Sequence, residues 1–115
     1  MQDAVVQAEQ VVANMFADTQ ETGTVITLVA SATIPATPGQ VRVTAAAAVA
    51  GLILQAGTKA GQRVTVIHEG AAANTLTFAA SGTSNVADGT SDVITGPSAR
   101  LFVWDAVTAL WYAVH

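Results

Sequence analysis

The sequence predicts a mainly β protein: a small β-sandwich or barrel of about seven to eight strands, carrying a short N-terminal helix. Three observations predict it. From Thr24 onward, short runs rich in β-branched and aromatic residues follow one another. Each run is bounded by Gly, Pro, Asn, Asp or Ser, the residues that turn a chain. At 115 residues, the chain can build one hydrophobic core but not two.

The first segment, from Gln2 to about Phe16, contains good helix formers and no Gly or Pro. Val5, Ala8, Val12 and Met15 fall on three-then-four spacing, the seam of a short coiled coil. Two heptads make a marginal helix in isolation, so this one is expected to dock. Its partner is either its own β domain or another subunit, and Val5, Ala8, Val12, Met15 and Phe16 are the candidate contact residues. The polar stretch ADTQETG then leads out of the helix. The expected organisation is a helical arm and linker over residues 1–22 and a β domain over 23–115.

In the β domain the expected strands are TVITLVA, QVRVTA, GLILQA, QRVTVIHE, NTLTFAA, ARLFVWD and ALWYAVH. PATPGQ separates the first two, its prolines excluding helix. AGTKAG and EGAAAN separate the middle ones, and SGTSNVADGTSDVITGPS forms a long polar excursion before the last pair. DAVT joins that pair, with Asp105 placed to open a tight turn. TAAAAVAGLIL has helical propensity, but Gly51 interrupts it and LIL suits a strand, so it is read as loop plus strand. The aromatics cluster late, at Phe102, Trp104, Trp111 and Tyr112, with Phe78 ahead of them. Paired across a hairpin, they are expected to anchor the core rather than to form a ligand platform.

Charge narrows the function. Only 10% of residues are Asp, Glu, Lys or Arg, against roughly 25% in ordinary soluble domains. Mean hydropathy is +0.48. So small a domain cannot hide that much apolar surface within itself, so some is expected to lie against other subunits or a larger partner; the rival reading is a surface made simply of the plentiful Thr, Ser, Gln and Gly. Net charge is −4, and Arg42, Lys59, Arg63 and Arg100 stand singly, which argues against a phosphate-backbone partner. Without cysteine there are no disulfides, thiolate metal sites or cysteine nucleophiles. The longest apolar-looking stretch, between Arg42 and Lys59, spans 16 residues and contains Thr, Gly and Gln, so no membrane partner is expected. The N-terminal stretch carries Asp3 and Glu9 where a secretory leader needs basic residues, and the chain is read as a complete small product.

Candidates for catalysis are few. His68 adjoins Glu69 at the end of a strand, where neighbours point to opposite faces, so the two are not expected to form a dyad. His115 is the last residue. No short-spaced zinc ligand set is visible, and no serine sits in a Gly-x-Ser-x-Gly elbow. GTKAGQR lacks the Gly-Lys-Ser/Thr ending of a phosphate loop. NVADGTSD gathers Asn85, Asp88 and Asp92, oxygen ligands suited to calcium, but without EF-hand spacing; a solvated turn is the default. The expectation is a non-enzyme with no catalytic, metal or cofactor residues.

The segment AGLILQAGTKAGQRVTVIHEGAAANTLTFAASGT, followed by ARLFVWDAVTALWYAVH, resembles a β-rich module of tailed-phage virion proteins. The resemblance rests on Leu52, Leu54, Gly61, Gln62, Val64, Val66, Gly70, Leu76, Phe78, Trp104, Asp105, Trp111 and Tyr112. It covers about half of the chain, from roughly Ala50 to His115, and departs at Gln55, where the module often has Pro, and at His68, where it often has Asn. The module occurs in tail fibres and in capsid-decorating (cement) or head-fibre proteins, commonly as trimers. A small free-standing chain fits a decoration protein: a homotrimer on the capsid surface of the virion, contacting the major capsid protein, with the helix residues named above among its contacts. A tail-fibre or receptor-binding component is the second expectation. A carbohydrate-binding domain stacking sugars on Trp104 or Trp111 is the third, and burial of those rings would argue against it.

Overall fold

The computed structural model describes residues 24–37 and 39–114. The expected N-terminal helix, with Val5, Ala8, Val12, Met15 and Phe16, lies outside the described residues, as does His115.

The chain is mainly β, and each of the seven runs expected from the sequence contains a strand. These are β1 (Ile26–Leu28), β3 (Gln40–Ala45), β4 (Val49–Leu54), β5 (Arg63–His68), β6 (Leu76–Phe78), β8 (Ser98–Asp105) and β9 (Leu110–Val114). Two further strands of two residues each, β2 (Thr33–Ile34) and β7 (Val93–Ile94), bring the described total to nine. The long excursion before β8 also contains a single helical turn, α1 (Ser81–Ser84), and a 3-10 turn at Gly89–Ser91. Gly51 does not separate loop from strand as expected: it lies inside β4 at φ +73°. Pairing with β6 shifts register between Val49 and Leu52, so the glycine makes a kink within a continuous strand.

The strands form two sheets, β1-β3-β5-β8-β9 and β2-β4-β6-β7. The first six strands alternate between them, and β1, β3 and β5 are parallel, as are β2, β4 and β6. Three successive turns of chain therefore stack as a short coil, each contributing one strand to each sheet. The coil ends in antiparallel pairings: β7 closes on β6, and the β8–β9 hairpin closes on β5. A strand crossing to the opposite sheet and back travels far enough to return in the same direction, which parallel pairing requires and a tight hairpin forbids.

One core lies between the sheets. Val41, Val43, Val64, Val66, Phe102 and Trp111 face inward from the five-stranded sheet, and Ile34, Leu52, Leu54, Leu76, Phe78 and Ile94 from the other. Phe78 and Phe102 meet edge to face across the layers, with centroids 5.6 Å apart. At one margin, Arg100, opposite Val66 on the inner side of β8, pairs with buried Asp92 just ahead of β7, tying one sheet to the other by charge.

The last hairpin bears out the expected aromatic pairing. Trp104 faces Trp111 across β8 and β9, centroids 5.2 Å apart. The indole N–H of Trp111 donates to the Gln55 carbonyl at 2.8 Å, joining the hairpin to the loop after β4. Asp105 opens the turn: its Oδ1 accepts the Val107 N–H at 2.9 Å, and Ala109 closes it at φ +57°. Gly57 lies against the Trp104 ring so closely that a Cβ there would fall within the indole.

Candidate interaction surface

His68 ends β5 facing the core, completely buried. Its Nε2 lies 2.6 Å from the Asn74 carbonyl oxygen, and its Nδ1 accepts the Gly70 N–H at 3.2 Å. A carbonyl can only accept, so the ring is neutral with its proton on Nε2. Both nitrogens are thus engaged by the loop 69–75, which Asn74 also fastens to β3 by donating to the Ala45 carbonyl at 2.7 Å. The arrangement holds the crossing from one sheet to the other. Glu69 points to the opposite, solvent-facing side, as strand alternation requires, and pairs there with Arg42. The hydrogen bond from Arg42 holds the Glu69 carboxyl below the usual carboxylate range.

The oxygen-rich run after α1 does not converge on a common point. Asn85, in the left-handed region at φ 66°, spends its side-chain amide on the Leu54 carbonyl at 2.9 Å. Asp92 is paired with Arg100, and Asp88 is exposed. Ser84, buried beside them, accepts the Val86 N–H at 3.1 Å. Among the described residues no group of three or more His, Cys, Asp or Glu is placed to hold a metal ion. Asn85 and Ser84 serve backbone groups, which is how an irregular segment satisfies its unpaired carbonyls and amides.

Of the five aromatics expected to anchor the core, Phe78, Phe102, Trp104 and Trp111 do so, whereas Tyr112 does not: next to Trp111 on the same strand, it points to the opposite side and is 42% exposed. It belongs to a surface that the strand register assembles. On the outer side of the five-stranded sheet, Arg63 faces Val103, which faces Tyr112; one row along, Thr65 faces Leu101, which faces Val114. Leu101, Val103, Tyr112 and Val114 therefore adjoin on the β8–β9 half of that side, with Asp105 at its end, while the β3–β5 half carries Gln40, Arg42, Arg63 and Thr65 around Ile67. Val114 is 50% exposed. Single exposed apolar residues are ordinary, but exposed Tyr112 and Val114 beside half-buried Val103 and Leu101 form a contiguous patch of the kind that marks an interaction site. The sequence reading did not single out this patch; the register of β8 with β9 is what shows that the four residues adjoin. The candidate helix residues Val5, Ala8, Val12, Met15 and Phe16 lie outside the described residues and are not placed relative to this patch.

Compared with protein-family models, curated proteins and solved structures, the chain gives no match to any of the three.

Proposed function

We propose that this chain is a structural virion protein of a tailed phage: a capsid decoration (cement) protein that acts as a homotrimer on the major capsid protein. The observation that carries the reading is the apolar patch on the outer side of the β8–β9 hairpin, displayed on a chain with only 10% charged residues. Such a surface gains by burial against protein, and the resemblance of residues 50–115 to a phage virion module supplies the setting. A shell under internal pressure fails where subunits separate. A protein that buries apolar area across several subunits opposes that separation by about 25 cal/mol per Å², before the cost of association. Three linked copies gain further through effective concentration. The two sheets share one apolar core, which suits a part that must hold its shape. Burial of Trp104 and Trp111 removes the stacking platform that a carbohydrate-binding role requires.

The test is mass-spectrometric quantification of this polypeptide in purified virions, relative to the major shell protein. Copy numbers on the scale of the shell are expected. A handful of copies per particle would assign it to the tail instead, and its absence from particles would overturn the reading.

A further inference from the structure

The apolar patch on the outer side of the five-stranded sheet needs an occupant, and the sequence offers one. Residues 1–23 carry four acidic residues, Asp3, Glu9, Asp18 and Glu21, and no Lys or Arg. The remaining residues carry Glu69, Asp88, Asp92 and Asp105 against Arg42, Lys59, Arg63 and Arg100, so four negative and four positive charges cancel. The whole formal charge of −4 therefore belongs to the N-terminal segment. That segment also carries the apolar series Val5, Val12, Met15 and Phe16. The patch it would meet is bordered by Arg63, whose guanidinium has no carboxylate partner among the described residues.

Position sets how far the segment must reach. The chain enters the fold at β1, one edge of the sheet, whereas the patch lies on β8 and β9 at the other. Four strand spacings, about 19 Å, separate the two edges. The ground between them is the mainly polar β3–β5 half, with Gln40, Arg42, Arg63 and Thr65 around Ile67. Each copy thus has a donor at one edge and an acceptor at the opposite edge. Head-to-tail contacts of that kind close into a ring when the rotation between copies allows it. Resting on the assembly reading above, we propose that the N-terminal segment of one copy docks as an amphipathic helix on the Leu101–Val103–Tyr112–Val114 face of the next. A helix over residues 2–16 is about 22 Å long, and the seven following residues reach about 23 Å when extended. The segment can therefore bridge to a neighbouring copy and cover the patch, its acidic side chains meeting Arg63.

The natural chain has no cysteine, so single cysteines report proximity directly. Full-length Val12→Cys and Tyr112→Cys chains, refolded together and treated with a short bismaleimide, should give a cross-linked pair that neither variant gives alone. Full-length Tyr112→Asp should raise the dissociation constant of the oligomer, measured by light scattering, about 10-fold or more. Tyr112 is outward and half-exposed, so this variant should fold; if its circular dichroism shows otherwise, the cross-link decides. Self-linking of Val12→Cys chains would show the segments bundling with each other and overturn the proposal. So would linkage confined within one chain of the Val12→Cys/Tyr112→Cys double variant. An oligomer that shows no mixed cross-link and is indifferent to Tyr112→Asp refutes the docking alone. A wild-type chain that is monomeric at tens of micromolar refutes the self-assembly reading itself.

Discussion

Trp111→Ala is the substitution from which the fold should suffer most. The residue is fully buried, pairs with Trp104 and hydrogen-bonds the Gln55 carbonyl through its indole N–H. A Trp side chain buries roughly 150–250 Å², which at about 25 cal/mol per Å² corresponds to about 4–6 kcal/mol. Alanine keeps a small part of that, and the lost hydrogen bond adds about 1 kcal/mol by leaving the Gln55 carbonyl unpaired. Large-to-small substitutions of this type cost about 3–5 kcal/mol in measured cores, so about 4–5 kcal/mol is expected. That approaches the whole stability of many domains, about 5–15 kcal/mol. Trp111→Phe keeps most of the ring contact but not the donor, and about 2 kcal/mol is expected. Urea unfolding followed by far-ultraviolet circular dichroism measures both, with the denaturant slope as a check that the unfolded state has not changed. A loss under about 1 kcal/mol for Trp111→Ala would refute the assignment of this ring as the anchor of the hairpin.

Gly57→Ala should cost about 1–3 kcal/mol in the same assay, because its Cβ must displace the Trp104 indole. Ala109→Gly should instead raise the unfolding midpoint, with a gain of about 0.5 kcal/mol, since φ +57° suits glycine better than alanine. Asp92→Ala, which strands Arg100 at the seam between the sheets, should cost about 3 kcal/mol. The exposed Arg42–Glu69 pair should behave differently. Because the folded state holds the Glu69 carboxyl below its ordinary range, what the pair contributes is present above that range and lost as pH falls through the folded value. Wild type and Glu69→Gln should thus differ slightly at pH 7 and coincide at pH 2, as thermal midpoints at the two pH values will show.

What the sequence made legible was local. Val41 and Val43 alternate with polar Gln40, Arg42 and Thr44, and Val64 and Val66 flank Thr65, a pattern that marks β3 and the start of β5 as strands. β2 and β7 escaped because two residues leave no period to detect. The parallel coil escaped for a different reason: Gln40 pairs with Thr65 and Val49 with Leu76, and nothing in either segment encodes its distant partner. Gly51 was read as a boundary because a glycine in a strand pattern looks the same whether it ends the strand or kinks it. Likewise Asn85, Asp88 and Asp92 look like cation ligands until the fold commits Asn85 to Leu54 and Asp92 to Arg100. The outer patch was not singled out either, because the adjacency of Leu101, Val103, Tyr112 and Val114 needed the β8–β9 register.

The alternation of the first six strands between two sheets also governs how the chain reaches this state. In β1 to β6 no strand pairs with its immediate successor; each awaits a partner from the next turn of the coil. The one tight hairpin, in which Trp104 faces Trp111, is the last element formed by the described residues. Local pairing is fast and distant pairing slow, because a long loop must close before any contact rewards it. On a ribosome, the earlier strands therefore emerge as open edges, and the pairing that seals β5 forms only once β8 has emerged. A chain cut short of β8 would leave that edge of β5 open, so the coil depends on a segment that follows all six of its alternating strands.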